Sequence, residues 1–152
     1  MAYHYVESGL DNVWLESGVT IENHPDYGEL VAIVNVKGLH EALGRAIATS
    51  STELTGAEFR FLRRELELSQ KDAARLIGSS EQTVSLWERN PNQPVGTAAA
   101  GTLMRMLYLE HLDGPPHIRE LVEALADSHH QMAVLERHLS LEPATDEWRM
   151  AA

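Results

Sequence analysis

The sequence contains no cysteine, which excludes disulfide frameworks, Cys-based zinc sites and thiol redox centres. It also lacks a long apolar run. The longest fully aliphatic stretch is "LVAIV", Leu30 to Val34, whereas a membrane-spanning helix needs about 20 residues. The N-terminus, "MAYHYVESGLDNVWLESG", has acidic residues and no apolar h-region, so it does not read as a signal peptide. There is no internal repeat, low-complexity tract, Gly-rich phosphate loop, nucleophile elbow or HExxH pattern. The expectation is a soluble cytoplasmic protein with no enzymatic activity, no cofactor and no membrane association. Positive charge is scarce, with 12 Lys and Arg against 23 Asp and Glu and a net charge of −11. What is present is a chain of 152 residues, 43% hydrophobic, enough to bury a core as one domain or two small ones.

The negative charge is unevenly spread. Residues 1–54 have two basic residues, Lys37 and Arg45, against eight acidic, giving −6. Residues 55–112 have seven of each sign and are neutral, and residues 113–152 have three basic against eight acidic, giving −5. The acidity lies in the flanks.

Three segments follow: 1–49, 50–113 and 114–152. In the first, "YHYVE" and "VWL" are short β-leaning pieces separated by the turn signal "SGLDN", and "HPDYG" precedes the β-branched run "ELVAIVNV". Gly38 breaks that strand, and "LHEALGRAIATS" has helical spacing, with Leu39, Leu43, Ala46 and Ile47 on one stripe. "ATSSTELT" reads as a linker. A small β-sheet with a trailing helix is marginal alone and needs something to pack on.

The second segment is helical throughout. Thr55 is an N-cap with Glu58 completing a capping box, and Phe59, Leu62 and Leu66 form the apolar stripe behind it. Ser69 caps the next helix, with Asp72 in its first turn, inner residues Ala73, Ala74, Leu76 and Ile77, and Gly78 for the sharp end. Ser80 caps a third helix with Val84 and Trp87 inward. After "NPNQP", a fourth helix from Thr97 to Leu109 carries Leu103, Met106, Leu107 and Tyr108. In the third segment, Ile118, Leu121, Val122, Leu125, Met132, Leu135 and Leu139 recur at helical spacing and predict a long helix over 118–139. The tail "EPATDEWRMAA" reads as poorly ordered. The fold class is therefore α+β: a small N-terminal β-sheet with a trailing helix, then an all-α domain and a long C-terminal helix.

"SQKDAARLIGSSEQTVSLWER", residues 69–89, reads as two short helices crossing steeply at a tight turn, a helix-turn-helix. Ala74 is the small residue at the crossing and Gly78 the turn. The third helix then turns Glu81, Gln82, Ser85, Leu86 and Arg89 outward. Gln82 suits a bidentate contact to adenine, Glu81 can accept from cytosine N4, and Leu86 can touch a thymine methyl. Gln70 is placed for a phosphate at a helix N-terminus, and Lys71, Arg75, Arg89 and Arg105 are the nearby cations. With Ser80 and Thr83 at the start of the third helix, the DNA-contact set is Gln70, Lys71, Ser80, Glu81, Gln82, Thr83, Ser85, Leu86 and Arg89.

On these residues, segment 55–109 resembles the lambda-repressor-like (XRE, or Cro/C1 type) helix-turn-helix proteins. "LELSQKDAARLIG…VSLWERNPNQP" with "LMRMLYLEHLDGPPHIRELV" resembles most the DNA-binding half of MqsA/YgiT-type antitoxins. The resemblance implies base-reading roles for Gln82 and Leu86, and a buried ion pair of Arg63 with Glu88. The antitoxins' zinc ribbon cannot form here without cysteine. Leu86 stands where that family has Arg, and Ser79 where an apolar turn residue is commoner.

Eight histidines raise the question of metal. Adjacent His129 and His130 point about 100° apart on a helix. His4, His24 and His40 share the first segment without a ligand-pair spacing, so no metal site is assigned. Trp87 reads as core rather than a base-stacking platform. The reading that results is a sequence-specific transcriptional regulator bound to double-stranded operator DNA. It acts as a homodimer through the fourth helix and the 118–139 helix, because two half-sites about one turn apart supply contacts that one module lacks. The alternative is an antitoxin that binds a toxin protein and regulates its own operon.

Overall fold

A computed structural model describes residues 2–50, 52–114, 118–120, 122, 123, 126, 141–144 and 147–150. The architecture is α+β, with small antiparallel strands ahead of a group of helices. Strands β1 (Tyr3–His4) and β2 (Trp14–Leu15) pair antiparallel, as do β3 (Val19–His24) and β4 (Gly28–Ile33). The N-terminal strands thus form two separate ladders rather than one sheet. β3 is not expected from the sequence, because Asn23 ends its apolar alternation after only Val19 and Ile21. Its order comes from pairing with β4 along its whole length, closed by Pro25, Asp26, Tyr27 and the left-handed Gly28 (φ 73°).

Helix α1 (Val36–Thr49) begins earlier than expected. Gly38 does not break the chain but sits in the first turn, where its N–H donates to the cap Asn35 Oδ1 at 3.1 Å. Leu39 and Leu43 are half-buried, Ala46 is exposed, and Gly44, Ile47 and Ala48 are buried. Gly44 is required by close approach: a Cβ there would lie 2.2 Å from the Tyr108 ring. Ala48 and Thr49 belong to this helix, and Leu54 is buried, so the expected linker is short and anchored.

Four helices complete the core: α2 (Gly56–Glu65), α3 (Gln70–Ile77), α4 (Glu81–Arg89) and α5 (Ala98–Asp113). The three expected caps, Thr55, Ser69 and Ser80, are in place, and Thr97 caps the fourth helix. Thr55 Oγ1 accepts from Glu58 N at 3.2 Å while Glu58 Oε1 accepts from Thr55 N at 2.9 Å. At α3, α4 and α5 the side chains of Ser69, Ser80 and Thr97 each accept one backbone N–H, from Asp72, Thr83 and Ala100. On α5 the inward phase differs from the expected one. Met104, Leu107 and Tyr108 are buried, Leu103 is half-buried and Met106 is exposed.

The core is continuous. Tyr5, Leu10 and Val13 from the strand region pack with Ile47 of α1 and with Leu54, Phe59, Leu62, Met104 and Tyr108. Each buried aliphatic or aromatic side chain of this kind stabilises the fold by about 1.5–3 kcal/mol. Burial pushes the Tyr108 phenol up to about 12.

Beyond α5, residues 118–120, 122, 123 and 126 are helical, and Ile118 and Val122 pack against the core. The rest of the expected 118–139 stripe, with His129 and His130, lies outside the described residues. The tail is not the unordered segment expected: β5 (Leu141–Ala144) and β6 (Glu147–Met150) pair antiparallel. Their register sets Glu142 opposite Arg149 and Pro143 opposite Trp148. No helix among the described residues is long and apolar enough to cross a membrane.

Candidate nucleic-acid interface

The α3–turn–α4 unit is built by its caps and its turn. Ser69 starts α3, and Gly78 ends it in the left-handed region (φ 73°), a conformation costly for other residues. The N–H of Ser79 donates to Ala74 O at 2.8 Å, closing the turn. Ala73 and Ala74 are fully buried, which lets the two helices approach closely. On α4, Val84 is buried, and Trp87 packs edge-on against Phe59 with ring centroids 5.5 Å apart. Trp87 is thus committed to the core side. Gly56 allows α2 to begin against the end of α4, since a Cβ there would fall 2.0 Å from the Trp87 carbonyl oxygen.

One polar centre locks α2, α3 and α4 together. Glu88 accepts two bonds from Arg63, Nε and Nη2, both at 2.7 Å, and its side chain is only 4% exposed. Arg63 Nη1 also donates to Leu68 O at 2.8 Å. The ion pair implied by the family resemblance is thus present. A bidentate guanidinium–carboxylate contact at this depth is a strong charge-assisted pair. The sequence did not point to the third member: Gln70 Nε2 donates to Glu88 Oε1 at 3.2 Å. Arg60 stands at the edge of the same carboxylate, 4.0 Å away.

The structure brings most of the expected contact residues to one side. Glu81, Gln82, Leu86 and Arg89 are exposed on α4, and Ser85 is half-buried among them. Glu81 and Gln82 make no side-chain hydrogen bond or ion pair among the described residues. Arg89 Nε reaches only its own helix, Ser85 O at 3.4 Å. Leu86 is 51% exposed, an apolar side chain held in water. Ser80 and Thr83 are occupied with capping: Ser80 Oγ accepts from Thr83 N at 3.1 Å and lies 2.8 Å from Thr83 Oγ1. Lys71 is exposed in the first turn of α3. Arg75 pairs with Glu123 at 3.8 Å. Arg105 is not part of this surface, because its guanidinium donates to the carbonyls of Ser50 and Thr52 and ties α5 to the α1–α2 connection.

A helix-turn-helix family model matches residues 59–97. That span holds α2 from Phe59 onward, the whole α3–turn–α4 unit and the Gly96–Thr97 approach to α5, and it agrees with the lambda-repressor-like resemblance of the sequence. No curated protein and no solved structure matches the chain.

The three histidines of the first segment are engaged separately. His4 stacks on Trp14 (centroids 4.1 Å apart), His24 lies against Tyr27, and His40 Nε2 is 2.7 Å from Tyr5 Oη. His40 Nδ1 is 3.3 Å from Glu65 Oε2, so this ring joins the strand region to α2. Among the described residues no three His, Asp or Glu side chains come together as a metal-sized cluster.

Proposed function

We propose that the chain is a sequence-specific DNA-binding transcriptional regulator, without catalytic activity, that places α4 in the major groove. The observation carrying this reading is the division of α4. Val84, Trp87 and Glu88 are held by the fold, while Glu81, Gln82, Leu86 and Arg89 stand together on the outer side. Gln82 reads adenine, Glu81 accepts from cytosine N4 or repels other bases, and Leu86 contacts a thymine methyl. Lys71 and Arg89 take phosphates, and the amide of Gln70, held by Glu88, lies at the N-terminus of α3, where a phosphate is favoured. With two such cations per chain, four in a dimer, the salt dependence is shallow, a slope of about −3 to −4 in log affinity against log salt.

The protein acts as a homodimer on two half-sites, since a single module makes few base contacts. The exposed Met106 on α5 supports a contact on that side. The test is retardation of the DNA upstream of the protein's own gene at low salt, with Gln82→Ala and Arg89→Ala as variants. Both variants should weaken binding about tenfold, as loss of one good contact does, with unchanged thermal unfolding. A wild-type protein that retards no fragment of that DNA contradicts the proposal.

A further inference from the structure

The β3–β4 hairpin leaves an apolar surface that nothing in the described fold covers. The pairs Val19↔Ile33 and Ile21↔Val31 put four β-branched side chains on one face. Val19 and Ile33 at its base are half-buried, but Ile21 is 51% and Val31 38% exposed. On the opposite face Leu30 is exposed as well. The ladder has two strands, so among the described residues both outer edges lack a strand partner. An isolated hairpin of this size is marginal in water. An extended segment added along an edge would satisfy the free backbone groups and set its own aliphatic side chains beside the exposed ones on that face.

Charge selects the occupant. Residues 1–36 hold six carboxylates and no Lys or Arg, and Glu22, Asp26 and Glu29 lie in the hairpin itself. Nucleic acids and anionic lipid surfaces meet that field with the same sign. A second copy brings its own carboxylates to the same place. Its apolar contact would also be small beside the roughly 800 Å² per partner of a stable interface. We propose that the β3–β4 hairpin is a docking surface for a protein carrying an extended basic segment, with lysine or arginine alternating with aliphatic residues, laid along an open edge. This goes beyond the DNA-binding reading and does not depend on it.

The test uses the full chain and a synthetic peptide of alternating lysine and valine, about the length of a strand. Binding should shift backbone amide resonances of residues 18–34 and leave those of α4 unmoved. Ile21→Asp with Val31→Asp adds negative charge to the face, so simple charge attraction would tighten binding; docking on the apolar face predicts at least tenfold weakening instead. Glu22→Lys with Glu29→Lys keeps the apolar residues, guards against a folding defect in the first variant, and should abolish binding. Absence of binding to the wild-type chain overturns the proposal, as does equal or tighter binding to the aspartate variant. A wild-type dimer that the aspartate substitutions convert to monomer in sedimentation also overturns it, by assigning the face to a second copy.

Discussion

The helical unit of residues 55–109 and the β3–β4 hairpin are both rich in apolar side chains, yet they treat them in opposite ways. In the helices nearly every apolar residue predicted inward is inward, and each helix begins on a cap that satisfies its free N–H groups. In the hairpin the run that looks most like a buried strand, "LVAIV", is mostly in water. Caps and periodicity together specify a face and an end, so they specify packing. A β-branched run specifies only a strand, and what covers that strand is set by the rest of the surface. The neutral unit buries its apolar faces in a core shared with the first segment, while among the described residues the acidic hairpin is left open.

Mutations should expose this contrast, beginning with the core. Phe59→Ala should cost about 3–5 kcal/mol in denaturant unfolding, because Phe59 is fully buried and a cavity would remain. Glu88→Ala should cost about 3 kcal/mol, since it leaves Arg63 buried without its counter-charge. It should also release Gln70. Thr55→Ala removes half of the capping box and should cost about 1 kcal/mol.

Tyr108 gives a contrast in pH. Its phenol ionises near 10 when unfolded but is held up to about 12 by burial in the fold. Above pH 10 the unfolded chain therefore holds fewer protons than the folded one. Stability falls as pH rises from about 10 and the loss levels off above about 12. Tyr108→Phe should lack this component, so its stability relative to wild type should rise over that range in urea unfolding. At neutral pH it should differ by less than about 1 kcal/mol, because the Tyr108 hydroxyl makes only a long 3.4 Å bond to His40 O. Ile21→Ala should have the smallest effect, within about 0.5 kcal/mol for the free chain. A loss comparable to Phe59→Ala would mean that the hairpin is covered and the contrast is false.

Much of the site was legible in the sequence, for identifiable reasons. Ser69, Gly78 and Ser80 each have one strong local role, so the turn and both helix starts could be placed from residue type and spacing. Ala74 and Val84 followed from helical period. Four features escaped. The phase of α5 was missed because "AAAGTLMRMLYL" is apolar nearly all round, and only the packing of Tyr108 on Gly44 selects Met104 over Met106. β3 was missed because its order depends on pairing with β4. The link from Gln70 to Glu88 joins residues far apart in sequence, and no local pattern encodes it. The tail hairpin was missed because opposed pairs such as Glu142 and Arg149 become visible only once the register is known.

The central claim is that α4, and not the acidic hairpin, meets DNA. Its most direct test is operator affinity measured side by side for the wild-type chain, Gln82→Ala, and the double variant Ile21→Asp with Val31→Asp. The account predicts that Gln82→Ala weakens binding about tenfold, while the hairpin variant binds as tightly as wild type. Undiminished binding by Gln82→Ala together with loss in the hairpin variant would contradict it.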